Sequence, residues 1–440
     1  MKVLLELTGN MGMSKTLLLT FMVIICMCRT TLAQTKLDSS NIPLTFDFQE
    51  TTIEQFHNNF HSPYQGQNSF LPRERPALSL TSDFCFNISF PKLFDIDFNP
   101  ELSGGRGLSG TYGIAGFPNG EVYRVGTPEP VISIARLYID KTFPLPTSTS
   151  DSAGARLNVV IGKFSITDYF DNNDYSNSAR TQFMNWAIMN NGAWDYPADT
   201  RGYTDGFVIQ YLMDNFALRF AAVLEPTTAN GPNLDWHILK AHGEALEGRY
   251  GYNAFGHDGT FRLDLYLNTA RMGNYYEATY DPIYNHDITL TEKYSRDKYG
   301  FGVNVGQSLS PYAGAFLRIG WNDGQNETWA YTEIDRTISG GVTTKLPIFG
   351  RPDDNFGIAF DINGISATHR AYLASSGYGF MLGDGKLPHH GLEQILETYY
   401  LFQLNRMLAI SFDYQYVVNP GYNQDRGPVN IGGVRVHFEI

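Results

Sequence analysis

The 440-residue chain has only three cysteines, and two of them, Cys26 and Cys28, fall in an N-terminal stretch that reads as a removable signal. Cys85 alone remains, so no intramolecular disulfide can form. That excludes a disulfide-stapled secreted scaffold, and for an exported chain of this size it points to a bacterial envelope. Long hydrophobic runs are missing as well. Polar residues interrupt every apolar stretch after the N-terminus, so no transmembrane helix is expected. Basic residues are outnumbered, 32 Lys and Arg against 45 Asp and Glu for a net charge of −13, which argues against nucleic acid or an anionic lipid surface as a partner. Blocks of helix-forming Ala, Leu, Glu and Lys are scarce, and no low-complexity linker interrupts the chain after about residue 80. GxSxG, HExxH and P-loop patterns are absent, so no enzyme is expected and no cofactor.

At the N-terminus, Lys2 and Lys15 precede an apolar stretch from Thr16 to Met27, and Thr31-Leu32-Ala33 lies before Gln34. This is a secretory signal over residues 1–33, cut after Ala33. The alternative, a membrane anchor, needs ~20 apolar residues and the stretch is shorter. Met11 or Met13 as the start would give a tidier signal. Losing three basic residues and one acid with the signal leaves the mature chain near −15. Residues 34–80 are polar and read as a leader, and residues 81–440 as the main body.

Tyr, Phe and Gly are abundant in that body, at 27, 30 and 43 residues in the whole chain, and alternation with period two recurs along it. From Leu408 to Val418 every even-numbered residue is large and apolar, while the odd ones are mostly small or polar, including Asp413 and Gln415. Val434, Val436, Phe438 and Ile440 alternate with Arg435, His437 and Glu439. Phe261, Leu263, Leu265 and Leu267 alternate with Arg262, Asp264, Tyr266 and Asn268. Ser133, Ala135, Leu137 and Ile139 form one face against Ile134, Arg136, Tyr138 and Asp140. Similar strands begin at Leu157, Phe207, Phe216, Phe301, Ala313 and Phe356. Turns are expected at Asp214-Asn215 and Ser310-Pro311. Segments of ~10 residues with one apolar and one polar face, and turns alternately short and long, describe an all-β transmembrane antiparallel β-barrel. Closure leaves no strand edge in lipid. Trp321, Tyr399, Tyr400, Tyr414 and Tyr416 fit interfacial girdles. A soluble β-sandwich or β-helix would instead put Arg136, Arg219, Arg262, Arg318 and Arg435 on a solvated face.

One region breaks the rhythm, Asp168 to Tyr203. Asn177 or Ser178 is expected to cap a helix through Thr181–Met189, ended by Asn191-Gly192. So long a loop is usually functional, and in a barrel it has room to fold into the lumen; lying outside is the alternative. In Trp329–Arg336, read as a strand with Ile334 and Ile338 toward lipid, Trp329, Tyr331, Glu333 and Asp335 share the lumen face. Aromatic rings stack on sugar faces, and carboxylates and arginines bind hydroxyls. Parity sends Arg336 toward lipid, so a bulge or strand end is expected there. The plain alternative is an aromatic girdle with rim charges. Glu333 and Asp335, two apart on one strand, do not straddle a bond as a glycosidase pair must. Gly377 to Gly385 reads as a glycine-rich hairpin turn. Asp171, Asn172, Asn173 and Asp174 lack the glycine spacing of a calcium loop, so no metal site is expected.

The pieces FNPELSGGRGLSG (Phe98–Gly110), AGFPNGEVYRVG (Ala115–Gly126), GKFSITDYFDNN (Gly162–Asn173), RTQFMNWAIMNNGAWDYPADTRGY (Arg180–Tyr203), FLRIGWNDGQNETWAYTEIDR (Phe316–Arg336), GYGFMLGDGKLPHHGLEQILETYY (Gly377–Tyr400) and FDYQYVVNPGYN (Phe412–Asn423) follow one another in order. In this series the chain resembles the carbohydrate-selective porins of the OprB family, from about residue 98 to its end. The resemblance implies sixteen strands in the bacterial outer membrane, passive passage of sugars, loops folded into the lumen and an arginine-rich constriction. Two departures stand out. The last residue is Ile440 where such barrels usually end on an aromatic, Phe438 lying two residues in, and residues 34–80 match nothing in the family.

The expectation is therefore a carbohydrate-selective outer-membrane channel whose partners are sugars and membrane lipid. Its pore lining is read as Arg136, Arg219, Arg262, Asp264, Arg318, Trp329, Tyr331, Glu333 and Asp335, with Arg180, Trp186 and Trp194 on the constricting loop. The alternatives are a general diffusion porin without sugar preference and a secreted soluble β-rich lectin or glycan hydrolase. The sequence names neither the sugar nor any self-association.

Overall fold

In the computed structural model, residues 43–124, 126, 128–145, 154–347 and 350–440 are described, so the expected signal 1–33 lies outside the described residues. Sixteen strands follow in order: β1 (Leu44–His57), β2 (Ala77–Phe90), β3 (Phe94–Gly105), β4 (Val131–Pro144), β5 (Arg156–Phe164), β6 (Thr204–Leu212), β7 (Phe216–Val223), β8 (His242–Ala254), β9 (His257–Ala270), β10 (Arg296–Ser310), β11 (Ala313–Asn322), β12 (Arg336–Leu346), β13 (Arg351–Gly364), β14 (Glu393–Asn405), β15 (Leu408–Val418) and β16 (Val429–Glu439). Each pairs antiparallel with its sequence neighbours, and β1 pairs with β16 to close the barrel. Most connections alternate between short and long. Short turns such as Asp214-Asn215, Pro311-Tyr312 and Arg406-Met407 gather at one end, and long loops such as 165–203 and 365–392 at the other.

The alternation fixes which side chain faces where. On β9, Phe261, Leu263 and Leu265 are exposed, while Arg262, Asp264, Tyr266 and Asn268 between them are buried. β11 repeats this with Leu317, Ile319 and Trp321 outward and Phe316 and Arg318 inward. Large apolar side chains left exposed around a closed sheet are what a lipid solvent requires.

Four expectations change. Of the expected leader 34–80, residues 34–42 lie outside the described residues, and Leu44–His57 is the strand that closes the barrel. Its signal is interrupted. Thr51 bonds inward to His437 and Gln55 to the Pro118 carbonyl, which leaves Glu50, Thr52 and Glu54 on the outer face, level with Phe438, Val436 and Val434. Leu44, Phe46 and Phe56 keep the outer face apolar towards the strand ends, but these polar residues break the stripe in its middle. On β4, the ladder pairs Asn99 with Arg136 and then Pro100 with Ile134. This bulge at Ala135 shifts the phase, so Ile132 and Ile134 are exposed with Leu137 and Ile139. Tyr399 is not a girdle residue; it is buried on the inner face with its ring 5.0 Å from Phe183. Gly377–Gly385 is no hairpin turn but part of the long 365–392 connection.

Candidate functional site

Segment 165–203 is bonded to strands around most of the barrel. The Glu397 carboxylate on β14 accepts from the backbone N–H groups of Met184 (2.5 Å) and Asn185 (3.1 Å). Gln415 on β15 accepts from the Asn185 amide at 3.0 Å, and Arg435 on β16 donates to the Gln182 carbonyl at 2.8 Å. The Tyr266 hydroxyl on β9 and the Asn322 amide on β11 both donate to the Ala193 carbonyl. All of these are inner-face residues. They explain why the expected helix over 181–189 shrinks to Trp186–Met189, capped by the Asn185 side chain. The N–H groups of Met184 and Asn185, which an earlier helix start would have used, are held by a carboxylate from across the fold, and charge-assisted bonds outweigh weak local propensity.

Arg318 on β11 is the strongest of these anchors. It is fully buried and donates from Nε to Asp171 (3.0 Å), from Nη1 to the Ile188 carbonyl (2.9 Å), and from Nη2 to the carbonyls of Asp171 (3.0 Å) and Ser176 (2.7 Å). Asp171 is also fixed by Asn304 at 2.7 Å and by the Asn191 N–H at 2.7 Å. Four of its five N–H donors are bonded to the segment, so Arg318 holds the loop.

The stretch read as a sugar-facing strand is a loop between β11 and β12. Residues 329–335 fold over other loops instead of pairing, because their backbone groups bond to side chains. The Asp195 carboxylate takes the N–H groups of Trp329, Ala330 and Tyr331 at 2.8 to 2.9 Å. Trp329 is buried, its indole donating to the Pro226 carbonyl at 2.7 Å. Glu333 accepts from the N–H groups of Met381 and Leu382, and Asp335 from that of Ser366. Between the two carboxylates lies His369, with Nδ1 at 3.1 Å from Asp335, Nε2 at 3.5 Å from Glu333 and its ring stacked at 4.1 Å on Tyr275. Burial opposes charge on this imidazole, but Asp335 and then Glu333 prevail and hold it above its ordinary range. Arg336 begins β12, as parity suggested, and donates to the Ile365 carbonyl.

The other expected residues fall into two groups. Arg219 donates to Gln210 at 2.8 Å and to Glu247, while Arg262 and Asp264 lie buried on β9 with Arg262 Nε and both Asp264 oxygens unbonded among the described residues. Arg136 makes a two-pronged bond to Asp168 at 2.6 and 2.7 Å and lies over the Tyr203 ring. Arg180, Trp186 and Tyr331 instead come together at a cavity of about 120 Å³. Trp194 is buried among Phe170, Tyr196 and Tyr266 and does not line it.

That cavity gathers residues the alternation could not reveal. Arg180 pairs with Glu121 (2.9 Å), Glu101 (3.7 Å) and Asp83. Burial disfavours its charge, yet Glu121 and Asp83 hold the guanidinium protonated. Tyr203 donates to Glu101 at 2.6 Å, Arg201 lies 4.5 Å over the Tyr123 ring and donates to Ser103, and Trp186 stacks with Tyr331 at 5.5 Å. Arginines, carboxylates and aromatic rings thus line one small cavity. Glu101, Glu121, Tyr123, Arg201 and Tyr203 were not among the expected site residues, although all five stand inside the motif pieces quoted above. Apart from Glu101 they lie in loops, where period-two reasoning has no purchase.

A closed sheet that is apolar outside and polar inside, with long loops at one end, defines an outer-membrane porin. The model for the carbohydrate-selective porin, OprB family, matches residues 92–440, and the chain belongs to that family. Its fold is similar to the high-pH structure of Pseudomonas putida OprB, with a TM-score of 0.66 at 16% identity over 91% of this chain and 94% of that one. It is also similar to the outer membrane channel DcaP of Acinetobacter baumannii, at TM-score 0.51 and 10% identity over 91% and 98% of the two chains. OccAB1 of Acinetobacter baumannii gives 0.50 at 10%, over 93% and 99%. No curated protein matches the chain in sequence. The protein is an outer-membrane channel for carbohydrates, a member of a channel family and not of an enzyme family.

Proposed function

We propose that segment 165–203 folds into the barrel and narrows it, and that the Arg180–Arg201 cavity is the eyelet through which sugars pass without being turned over. The supporting observation is the ring of Arg180, Arg201, Glu101 and Glu121 around the faces of Tyr123 and Trp186. Water lost by a sugar entering so narrow an opening is replaced by fixed donors and acceptors on its hydroxyls, while rings take its C–H faces. A cavity of about 120 Å³ has room for about four water volumes, so neutral solutes must touch its walls. Guanidinium and carboxylate compensate each other here, which weakens selection by charge alone. Arg136, Arg219, Arg262 and Asp264 continue the polar track along the wall. Tyr331 backs Trp186 at the cavity itself, while Arg318, Trp194, Trp329, Glu333 and Asp335 shape it indirectly, as anchors of the loops. The membrane lipid contacts the exposed apolar belt, and residues 1–33 serve as the export signal.

Single-channel recording with glucose and maltose tests this reading. Arg201→Ala should weaken sugar block about tenfold, the scale of one charge-assisted contact, while leaving an open channel. Unchanged block would remove the eyelet assignment and favour a general diffusion porin.

A further inference from the structure

A second recess lies at the opposite end, where the short turns gather. It has a volume of about 490 Å³ and is bounded by β5, β6, β7 and β8. Among the described residues three arginines line it, Arg156, Arg219 and Arg249, against one acid, Asp214. Local excess of positive charge runs counter to the chain as a whole, whose net charge is −13.

The register deepens the imbalance. Arg249 on β8 stands directly opposite Arg262 on β9, and both point inward. Like charges directly opposed across a ladder are destabilising; the Glu247 and Asp171 carboxylates act on Arg262 from a distance without forming an ion pair with it. Arg219 has taken Glu247, whose second oxygen already accepts from the Asp171 N–H. Asp264, two residues along from Arg262, makes no bond to it. Among the described residues no carboxylate lies within ion-pair distance of Arg156, Arg249 or Arg262. Arg262 is only 8% exposed, and its Nε has no partner. Arg262 stands behind this cluster and does not itself line the recess, so the charge open to a ligand is that of Arg156 and Arg249.

We propose that this recess, on the periplasmic side of the eyelet, is an anion subsite that takes a phosphate or carboxylate group. Planar guanidinium forks match both groups in a two-pronged geometry that a neutral hydroxyl cannot use. The ligand class is a phosphorylated or acidic sugar in transit, or the free inorganic anion. The subsite would extend the channel's range beyond neutral sugars. This rests on the reading that the inner face lines the conducting path.

The test is single-channel recording on the full-length protein, with glucose, glucose 6-phosphate and inorganic phosphate added in turn to the short-turn side. Glucose 6-phosphate should block at a concentration at least about tenfold below that of glucose. Arg249→Gln and the double variant Arg156→Gln/Arg249→Gln should each remove that preference, with block by glucose unchanged; the latter also shows that the variants fold. Competition by inorganic phosphate would identify the free anion as a ligand, and block by glucose 6-phosphate alone would identify the sugar-borne group; either supports the subsite. Equal block by glucose and glucose 6-phosphate, or undiminished preference in the Arg249→Gln channel, overturns it. Absence of glucose block in the wild type would count against the eyelet instead, so the two readings fail separately.

Discussion

Replacing Arg318 by Met keeps much of the side-chain volume and removes the charge, which isolates what this one residue does. The structure gives it four acceptors on segment 165–203: the Asp171 carboxylate and the carbonyls of Asp171, Ser176 and Ile188. Removing one partner of a buried pair costs about 3–5 kcal/mol, because the other charge stays buried and unmatched. The upper end is softened here, since Asn304 and the Asn191 N–H still hold Asp171. At about 1.4 kcal/mol per tenfold, the detached loop should become about a hundredfold to a thousandfold more populated. Two assays read this directly. Single-channel conductance should rise and become noisy, and trypsin should cleave after Arg180 or Arg201, which the intact loop protects. Arg318→Lys should fall between wild type and Arg318→Met, because an ammonium cannot serve four dispersed acceptors at once. If Arg318→Met conducts like the wild type, blocks with glucose at the same concentration and resists trypsin equally, the loop is not held by Arg318 and the anchoring argument fails.

Glu397→Gln should loosen the same loop more mildly, by about 1–3 kcal/mol, since it weakens the acceptor for the Met184 and Asn185 N–H groups; hydrogen exchange at those two amides should quicken, and unchanged rates would refute it. The His369 cluster should give the long-loop end a bounded pH range. His369 has its folded-state value raised, so its stabilising contribution is complete below its ordinary value of about 6.5 and is lost as pH climbs through the raised one. Asp335 is depressed, burial being outweighed by His369, so its contribution is present above about 3.8 and disappears as pH drops through the lowered value. Protease resistance of loops 323–335 and 365–392 should therefore fall on both sides, and His369→Gln should flatten the alkaline limb; an identical limb in that variant would contradict the assignment.

Much of the barrel was legible because a sheet with lipid on one side obeys a strict rule. Many strands from β5 onward, β9, β11, β13 and β15 most clearly, carry their apolar residues at every second position, and the turn at Asp214-Asn215 falls between two of them. It failed where another constraint took over. Glu50 and Glu54 occupy outward positions on β1, so the closing strand reads as a polar leader until β16 is seen to pair with it. One bulged residue at Ala135 reverses the faces upstream of it.

The amino-acid pattern by itself determined the two-sided sheet and, through ordered motifs, the family, because those properties are local or additive along the chain. The tertiary structure alone decided which polar residues meet. Arg180, Glu101, Glu121 and Tyr123 come from separate strands and loops, and their convergence depends on where the loop 165–203 is tied. Arg318 looked like pore lining and is a fastener, while Trp329 looked like a platform and is packed away. A side chain's type limits the bonds it can make, but only the closed fold sets which partners stand within reach.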